Sequence, residues 1–519
     1  MPKNQQTQLV QELHREYVIL RLASAFSMAG PSTAPDGRQS PITASFESAL
    51  TSSTSENALD DPCYYTNNPK SLVSTSKIHS FNTGTGSTLY RSLAPLLEST
   101  AHELILVTCF WARSKSLNIF NDVLLRLSEK AVHRGTEKIK VRLCFSSLSI
   151  LQKLFHSPSV TGQTYKSSVW VKKLGLLDPS KLCGLDIQIK SVFLLPFSVM
   201  HPKFMIIDGE KVVLPSCNIS WEEWFEGYIT MSGPIVDQFQ QFYSHFWKRK
   251  VPLDASGISI PQPANKYPGT TDFGHAHTST NFPYSSKPGA VLDVGAADIP
   301  TVFLPSPHRR NPRFAPFTPT DRVLAPPTPL NTFILTILEK AEKSIRIQTP
   351  NLTSPPVLSA ILKALARGVD VKIVTSEKLM VLEQIVTAGT TTSKSVIKLI
   401  KRYKAISRPN PSRPATDEEA ALSSVTPGHL EISYFEPAQG PKPRGKEEGE
   451  PQQSHLKMTI IDEEVLVLGS GNLDRASWFT SQELGVAFFD RKLAVSVQGG
   501  VDLSMIGRTR VTFDSRNSV

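Results

Sequence analysis

Cysteine is scarce in this sequence. The five present, Cys63, Cys109, Cys144, Cys183 and Cys217, are odd in number and form no Cys-x-x-Cys pair. That excludes a disulfide framework and a thiolate zinc site, so they read as reduced intracellular thiols. No apolar run reaches the roughly 18 to 20 residues of a membrane-spanning helix, and any membrane contact is therefore expected to be peripheral. The N-terminal stretch MPKNQQTQLVQELHREYVILRLASAF has no basic region followed by a continuous apolar one, and it contains Glu12 and Glu16. Neither a secretory signal nor an acid-poor transit peptide is expected from it; it reads as a short amphipathic helix. The expected location is intracellular, cytoplasmic or at a membrane surface. Acidic residues are outnumbered, 46 Asp and Glu against 56 Lys and Arg, for a formal net charge of +10. Such a surface suits an anionic partner: nucleic acid, an acidic membrane or a phosphorylated ligand.

Proline, by contrast, is plentiful at 39 residues, and it clusters. The clusters divide the chain. Residues 1–80 read as an N-terminal helix followed by a loosely packed, Ser/Thr/Pro-rich lead-in. Residues 81–250 form a first α/β domain and residues 251–326 a Pro/Ser/Gly-rich linker. Residues 327–495 form a second α/β domain with an irregular insertion at about 405–453, and 496–519 a tail. Within each domain the hydrophobic pattern runs in the same order. TLYRSLAPLLEST is helical, ELILVTCFW (103–111) a buried strand, SLNIFNDVLLRLSEKAVHRG a helix ending at Gly135, and KIKVRLCFSS (138–147) a strand. NTFILTILEKAEK, SIRIQTPNLT (344–353), PPVLSAILKALARG and VDVKIVTS (369–376) repeat that order. A duplicated α/β domain is expected, with at least part of its sheet parallel.

The repeat includes a polar set. HPKFMIIDGEKVVLPSCN starts at His201 and SHLKMTIIDEEVLVLGSGN contains His455, 254 positions further on. Each has His-x-Lys, then Asp, then Ser-x-Asn. Alternate residues of a strand share a face, so His201 and Lys203 point together, as do His455 and Lys457. The pairs Ser216/Asn218 and Ser470/Asn472 have the same spacing on the strands that follow. This set suits transfer at phosphorus. Lys and Asn stabilise the equatorial oxygens without a metal. One histidine attacks while another protonates the leaving oxygen. One copy supplies one histidine, so two copies facing each other would make a single site. A Glu follows each copy before an apolar strand, Glu226 and, three residues later in register, Glu483, and these would fix the imidazole tautomers. Asp208 and Asp462 complete the candidate catalytic set, although they fall at the hairpin turn, where a structural role fits better. Trp224-Phe225 and Trp478-Phe479 each stand six residues past their Asn and read as helix–sheet core.

These two segments resemble the paired HKD motifs of the phospholipase D superfamily, over roughly 85–250 and 328–492. The resemblance implies two α/β/α sandwiches with mixed sheets, packed as a pseudo-twofold pair around one active site. It implies metal-independent phosphodiester cleavage through a phosphohistidine, with no cofactor and no metal. By resemblance His201 is the nucleophile and His455 the general acid. Lys203, Lys457, Asn218 and Asn472 hold the phosphate with support from Ser216 and Ser470, while Glu226 and Glu483 orient the histidines. One departure stands out: Pro215 occupies the place of Gly469, removing a backbone N–H and fixing φ. The favoured substrate is a phospholipid, hydrolysed or passed to an alcohol as in cardiolipin-synthase-like members. The alternatives are a nuclease, to which the basic run PHRRNPRF (307–314) would contribute, and a catalytically weak interaction protein. With both motifs in one chain, no obligate partner is expected.

Overall fold

The computed structural model describes residues 40–148, 159–193, 199–249, 291–307, 324–407, 426–446 and 449–517. The expected N-terminal amphipathic helix and most of PHRRNPRF lie outside these residues. The repeated pattern is realised as repeated topology. In the first half, β1 (Val73–Gly84) and α2 (Gly86–Glu98, after α1, Pro41–Ser52) precede β2 (Glu103–Phe110), α3 (Lys115–Arg134) and β3 (Ile139–Ser147). Then follow β4 (Ser159–Thr164), β5 (Leu185–Phe193), β6 (Phe204–Ile207), β7 (Lys211–Pro215), β8 (Trp224–Ser232) and α4 (Ile235–Phe242).

The second half runs β9 (Val291–Ser306), α5 (Pro329–Lys340), β10 (Ser344–Thr349), α6 (Pro355–Ala366) and β11 (Asp370–Thr375). It continues with α7 (Val381–Ala388), α8 (Thr392–Ile406), β12 (Leu430–Phe435), β13 (Gln453–Ser454), β14 (Met458–Ile461) and β15 (Val465–Gly469). It closes with α9 (Arg475–Phe479), β16 (Glu483–Phe489), α10 (Arg491–Ser504) and β17 (Thr509–Asp514).

The ladders join both halves into one mixed sheet. Its order from edge to edge is β4-β5-β3-β2-β6-β7-β8-β1-β9-β16-β15-β14-β10-β11-β12-β17. In each half three strands are parallel, β2-β3-β5 and β10-β11-β12, as the β-α-β pattern requires. The antiparallel pair β1–β9 is the seam between the halves. Outward from that seam the order matches in both directions as far as β5 and β12, the pseudo-twofold symmetry of a duplicated α/β domain, and only the edge strands β4 and β17 come from different places in the chain.

Several boundaries differ from the sequence expectation. Both seam strands were assigned elsewhere: residues 73–80 to the lead-in and 291–306 to the linker. Residues 41–52 of the lead-in are helical, with Pro41 at the first helical position, Phe46 and Leu50 buried, and Phe46 edge-on to Phe333 at 5.3 Å. Burying such a phenylalanine contributes about 1.5–3 kcal/mol, enough to hold a short helix that has no strong periodicity of its own. Residues 509–514 of the supposed tail form an edge strand on β12. The α3 helix ends as its composition dictates: Gly135 takes a left-handed φ of 67° and satisfies the last carbonyls.

Candidate active site

The two histidines meet where the halves meet. His201 stands three residues before the start of β6 and His455 three before that of β14. Each backbone N–H is held by the opposite half: His201 donates to the carbonyl of Gln482 and His455 to that of Phe225, both at 2.9 Å. The residue after each of those carbonyls is a glutamate, and it takes the ring of the same histidine. His201 Nδ1 lies 2.8 Å from Glu483, and His455 Nδ1 lies 2.7 Å from Glu226. Each histidine is thus docked, by backbone and by ring, on the other half's strand. The rings sit edge to face with centroids 6.4 Å apart, close enough for one phosphoryl group to touch both.

The remaining polar residues converge on this pair. Lys203 Nζ donates to its neighbour His201 O at 3.0 Å, and Lys457 Nζ to His455 O at 2.7 Å. Asn218 has its side-chain oxygen anchored by Thr108 Oγ1 (3.3 Å) and the Phe110 amide (3.2 Å). Its amide nitrogen is unengaged among the described residues and available to an anion. Asn472 differs: its nitrogen donates to Asp474 at 3.1 Å, and its buried oxygen finds no partner among the described residues.

The comparisons with known proteins meet this geometry at its second half. Residues 334–499 match the family model described as cardiolipin synthase, PLD-like domain. The first half repeats that region's strand order and its His, Lys, Ser, Asn and Glu in the same places. Residues 334–499 are thus a phospholipase D-like domain. No curated protein matches the sequence. Among solved structures, phosphatidylserine synthase of Haemophilus influenzae Rd KW20 aligns at 11% identity and a TM-score of 0.48, over 85% of this chain and 90% of its own. The phospholipase D family member Nuc of Salmonella typhimurium aligns at 22% identity and a TM-score of 0.22, over 35% of this chain and 90% of its own. NucT from Helicobacter pylori aligns at 17% identity and a TM-score of 0.24, over 36% of this chain and 90% of its own.

The electrostatics of this phospholipase D-type site are those of buried imidazoles beside ammonium groups. His201 is pushed down to about 4 by burial, helped by Lys203 and Lys457 and opposed by Glu483. His455 falls to about 3 by burial and by Lys457 and Lys203, against Glu226. Both rings are therefore neutral at rest. With a carboxylate accepting at Nδ1, the ring proton is on Nδ1 and the lone pair on Nε2. Burial also lowers the Lys457 ammonium to about 7. Burial alone would raise Glu226, but His455, Lys457 and Ser216 outweigh it and keep the carboxylate below its usual range.

The two halves are not identical. Lys457 Nζ lies 2.9 Å from both ring nitrogens of His455, whereas among the described residues no hydrogen bond reaches His201 Nε2. The His201 side chain is 12% exposed and that of His455 3%. Trp224 leans on the His455 ring, with centroids 4.6 Å apart. The two Trp-Phe pairs are therefore not equivalent. Trp224 and Phe225 begin strand β8, where Trp224 faces the site, whereas Trp478 and Phe479 are buried in α9. Trp224 shares strand parity with Glu226, a signal that equal spacing from Asn obscured.

Two sets of expected site residues do other work. Asp208 and Asp462 lie away from the histidines. Asp208 accepts the backbone N–H groups of Ala101, His102 and Glu103 at 2.6–2.8 Å. Asp462 accepts those of Glu342, Lys343 and Ser344 at 2.7–3.0 Å. Both have left-handed φ, 51° and 54°, and both pin the start of the first parallel strand of their half, β2 or β10, to the hairpin. Ser216 and Ser470, expected beside the phosphate, donate instead to Glu226 and Glu483 at 2.5 Å. Ser477 adds a bond to Glu483 at 2.7 Å. These hydroxyls fix the carboxylates that fix the rings.

Pro215 leaves the strand intact. The next amide, Ser216 N–H, reaches Gly227 O at 2.8 Å, as Ser470 reaches Leu484 O. A residue at 215 would direct its N–H to the other side, where the β6–β7 ladder has already ended at Met205–Val213. Proline therefore removes no ladder bond.

Proposed function

We propose that the protein is a phosphodiesterase acting on phospholipids, hydrolysing or transferring the phosphatidyl group without a metal through a phosphohistidine. The observation that carries the reading is the crossed pair: two neutral imidazoles, Nδ1–H held by carboxylates, facing one another across a cleft with two lysines and two asparagines. The unengaged Nε2 of His201 supports it as the nucleophile. Its lone pair forms the P–N bond while the bond to the leaving alkoxide breaks. The proton for that alkoxide comes from the His455–Lys457 pair, in which ammonium and Nε2 are in hydrogen-bond contact. Water or an alcohol then attacks the phosphohistidine, returns its proton to His455, and His201 leaves. Lys203, Lys457 and the Asn218 amide stabilise the equatorial oxygens. The choice of a lipid follows the family model's description as a cardiolipin synthase domain.

The test uses the purified protein in EDTA with phosphatidylcholine, phosphatidylglycerol or single-stranded DNA, with and without a primary alcohol. Phosphatidic acid or phosphatidylalcohol, lost in both His201→Ala and His455→Ala, supports the reading. Cleavage of DNA alone replaces it with a nuclease, and turnover of none of them sinks it.

A further inference from the structure

The excursions that follow the third strand of each half both lean on the floor of the site. In the first half, a π-helical turn at Trp170–Leu174 is tied to the segment after β2. Trp111 Nε1 donates to Leu174 O at 2.9 Å, and Arg113 donates to Val171 O at 2.8 Å. Trp111 itself bridges Ile219, next to Asn218. In the second half, α7 is tied in the same place. Gln384 bonds Asn351, Asn351 bonds Asp474, and Asp474 bonds Asn472. Ser376, just before α7, bonds the carbonyl of Ser454, the residue before His455. These two excursions and the 219–224 loop therefore rim the cleft on one side of the molecule.

This rim gathers exposed apolar side chains from both halves beside the cleft. Leu382 is 75% exposed, Ile385 49%, Val171 47% and Trp221 42%. Leu382 and Ile385 are three apart on α7 and share its outer face. Exposed lysines flank them on both halves, Lys172 and Lys173 beside Val171 and Lys378 before α7. The nearby Glu377 is already paired with Arg510. Glu222, Glu223 and Glu383 beside these tips are partly buried, and Arg444 stacks on Trp221 at 3.3 Å, so the exposed tips and lysines match the chemistry of an anionic bilayer surface. The tips enter the headgroup layer and the lysines meet its phosphates.

Resting on the lipid reading above, we propose that this rim docks the protein on anionic membranes, placing the histidine cleft against the headgroups. The test is co-sedimentation of the full chain with vesicles of phosphatidylcholine alone or mixed with phosphatidylglycerol. Turnover of a monomeric short-chain phospholipid is measured in parallel. The mixed vesicles are expected to bind the protein, less so in high salt. The double variant Leu382→Asp/Ile385→Asp and, independently, Lys172→Glu/Lys173→Glu should each weaken that binding about tenfold or more, with short-chain turnover unchanged. The lysine variant lies in the other half, so it keeps the test alive if the α7 variant fails to fold. Failure to bind either vesicle, or undiminished binding by both variants, overturns the proposal. Short-chain turnover without vesicle binding would leave the lipid function standing and remove the docking surface. Vesicle binding that depends on the rim, without turnover of any phospholipid, would do the reverse.

Discussion

The chemistry of the site is divided between residues that belong to opposite halves of the chain, and this division is testable residue by residue. Glu483 holds His201, and Glu226 holds His455. If His201 attacks and His455 supplies the proton, the two glutamates serve different steps. Each Glu→Gln change is expected to lower kcat by about 10²–10⁴, the usual worth of a positioned acid or base. A substrate with p-nitrophenolate as leaving group needs no proton in the first step, so a pre-steady-state burst of p-nitrophenolate should survive in Glu226→Gln and His455→Ala but not in Glu483→Gln or His201→Ala. A burst surviving in the opposite pair would reverse the two roles. A second prediction concerns pH. His201 must be neutral to attack, which holds above its value of about 4. The Lys457–His455 pair must keep the proton for the leaving group, and Lys457 loses it near 7. As pH rises, kcat/KM should therefore climb through about 4 and fall through about 7. In Lys457→Arg, which cannot release its proton in this range, the fall near 7 should vanish along with most of the activity.

At the scale of elements, the hairpins that carry the motifs are held by aspartates that bind backbone N–H groups at the strand starts. Replacing Asp462 by Ala leaves three strand-edge N–H groups without their carboxylate and should cost about 2–4 kcal/mol of stability, read from chemical denaturation. A loss of activity with unchanged stability would return Asp462 to the catalytic set. The alternation of ELILVTCF and the 3.6-residue period of α3, closed by Gly135, made these elements legible in the sequence, and the parity of His-x-Lys placed ring and ammonium together. The seam was not legible. β1 reads VSTSKIHSFNTG, mostly polar, and β9 contains Pro300 and Pro305, which argue against an interior strand. They are interior to the sheet by what they pair with on each side, although Pro300 and other β9 side chains stay exposed, and their mutual register slips twice. Because the seam sets how the halves face, the crossing of Glu226 to His455 and Glu483 to His201 could not be read from spacing. The sequence left open which Glu holds which histidine.

The continuous sheet makes the halves one catalytic body, and a ligand can report this directly. Two copies of the motif that worked independently would bind two phosphate-like anions per chain, and disabling one copy would leave the other occupied. In the observed arrangement each copy lacks what the other supplies: His201 has no carboxylate without Glu483, and His455 none without Glu226. Tungstate or vanadate, which present tetrahedral or trigonal oxygens to both rings at once, should therefore bind one per chain in calorimetry and raise Tm through linkage to the folded state. His201→Ala and His455→Ala should each abolish the strong binding, although the two residues are 254 positions apart. A stoichiometry of two, or half the binding surviving in either variant, would show two separate sites and break the link between the duplication and a shared reaction centre. One anion lost equally to either change would mean that duplication supplied the attacking ring from one half and the proton-donating ring from the other.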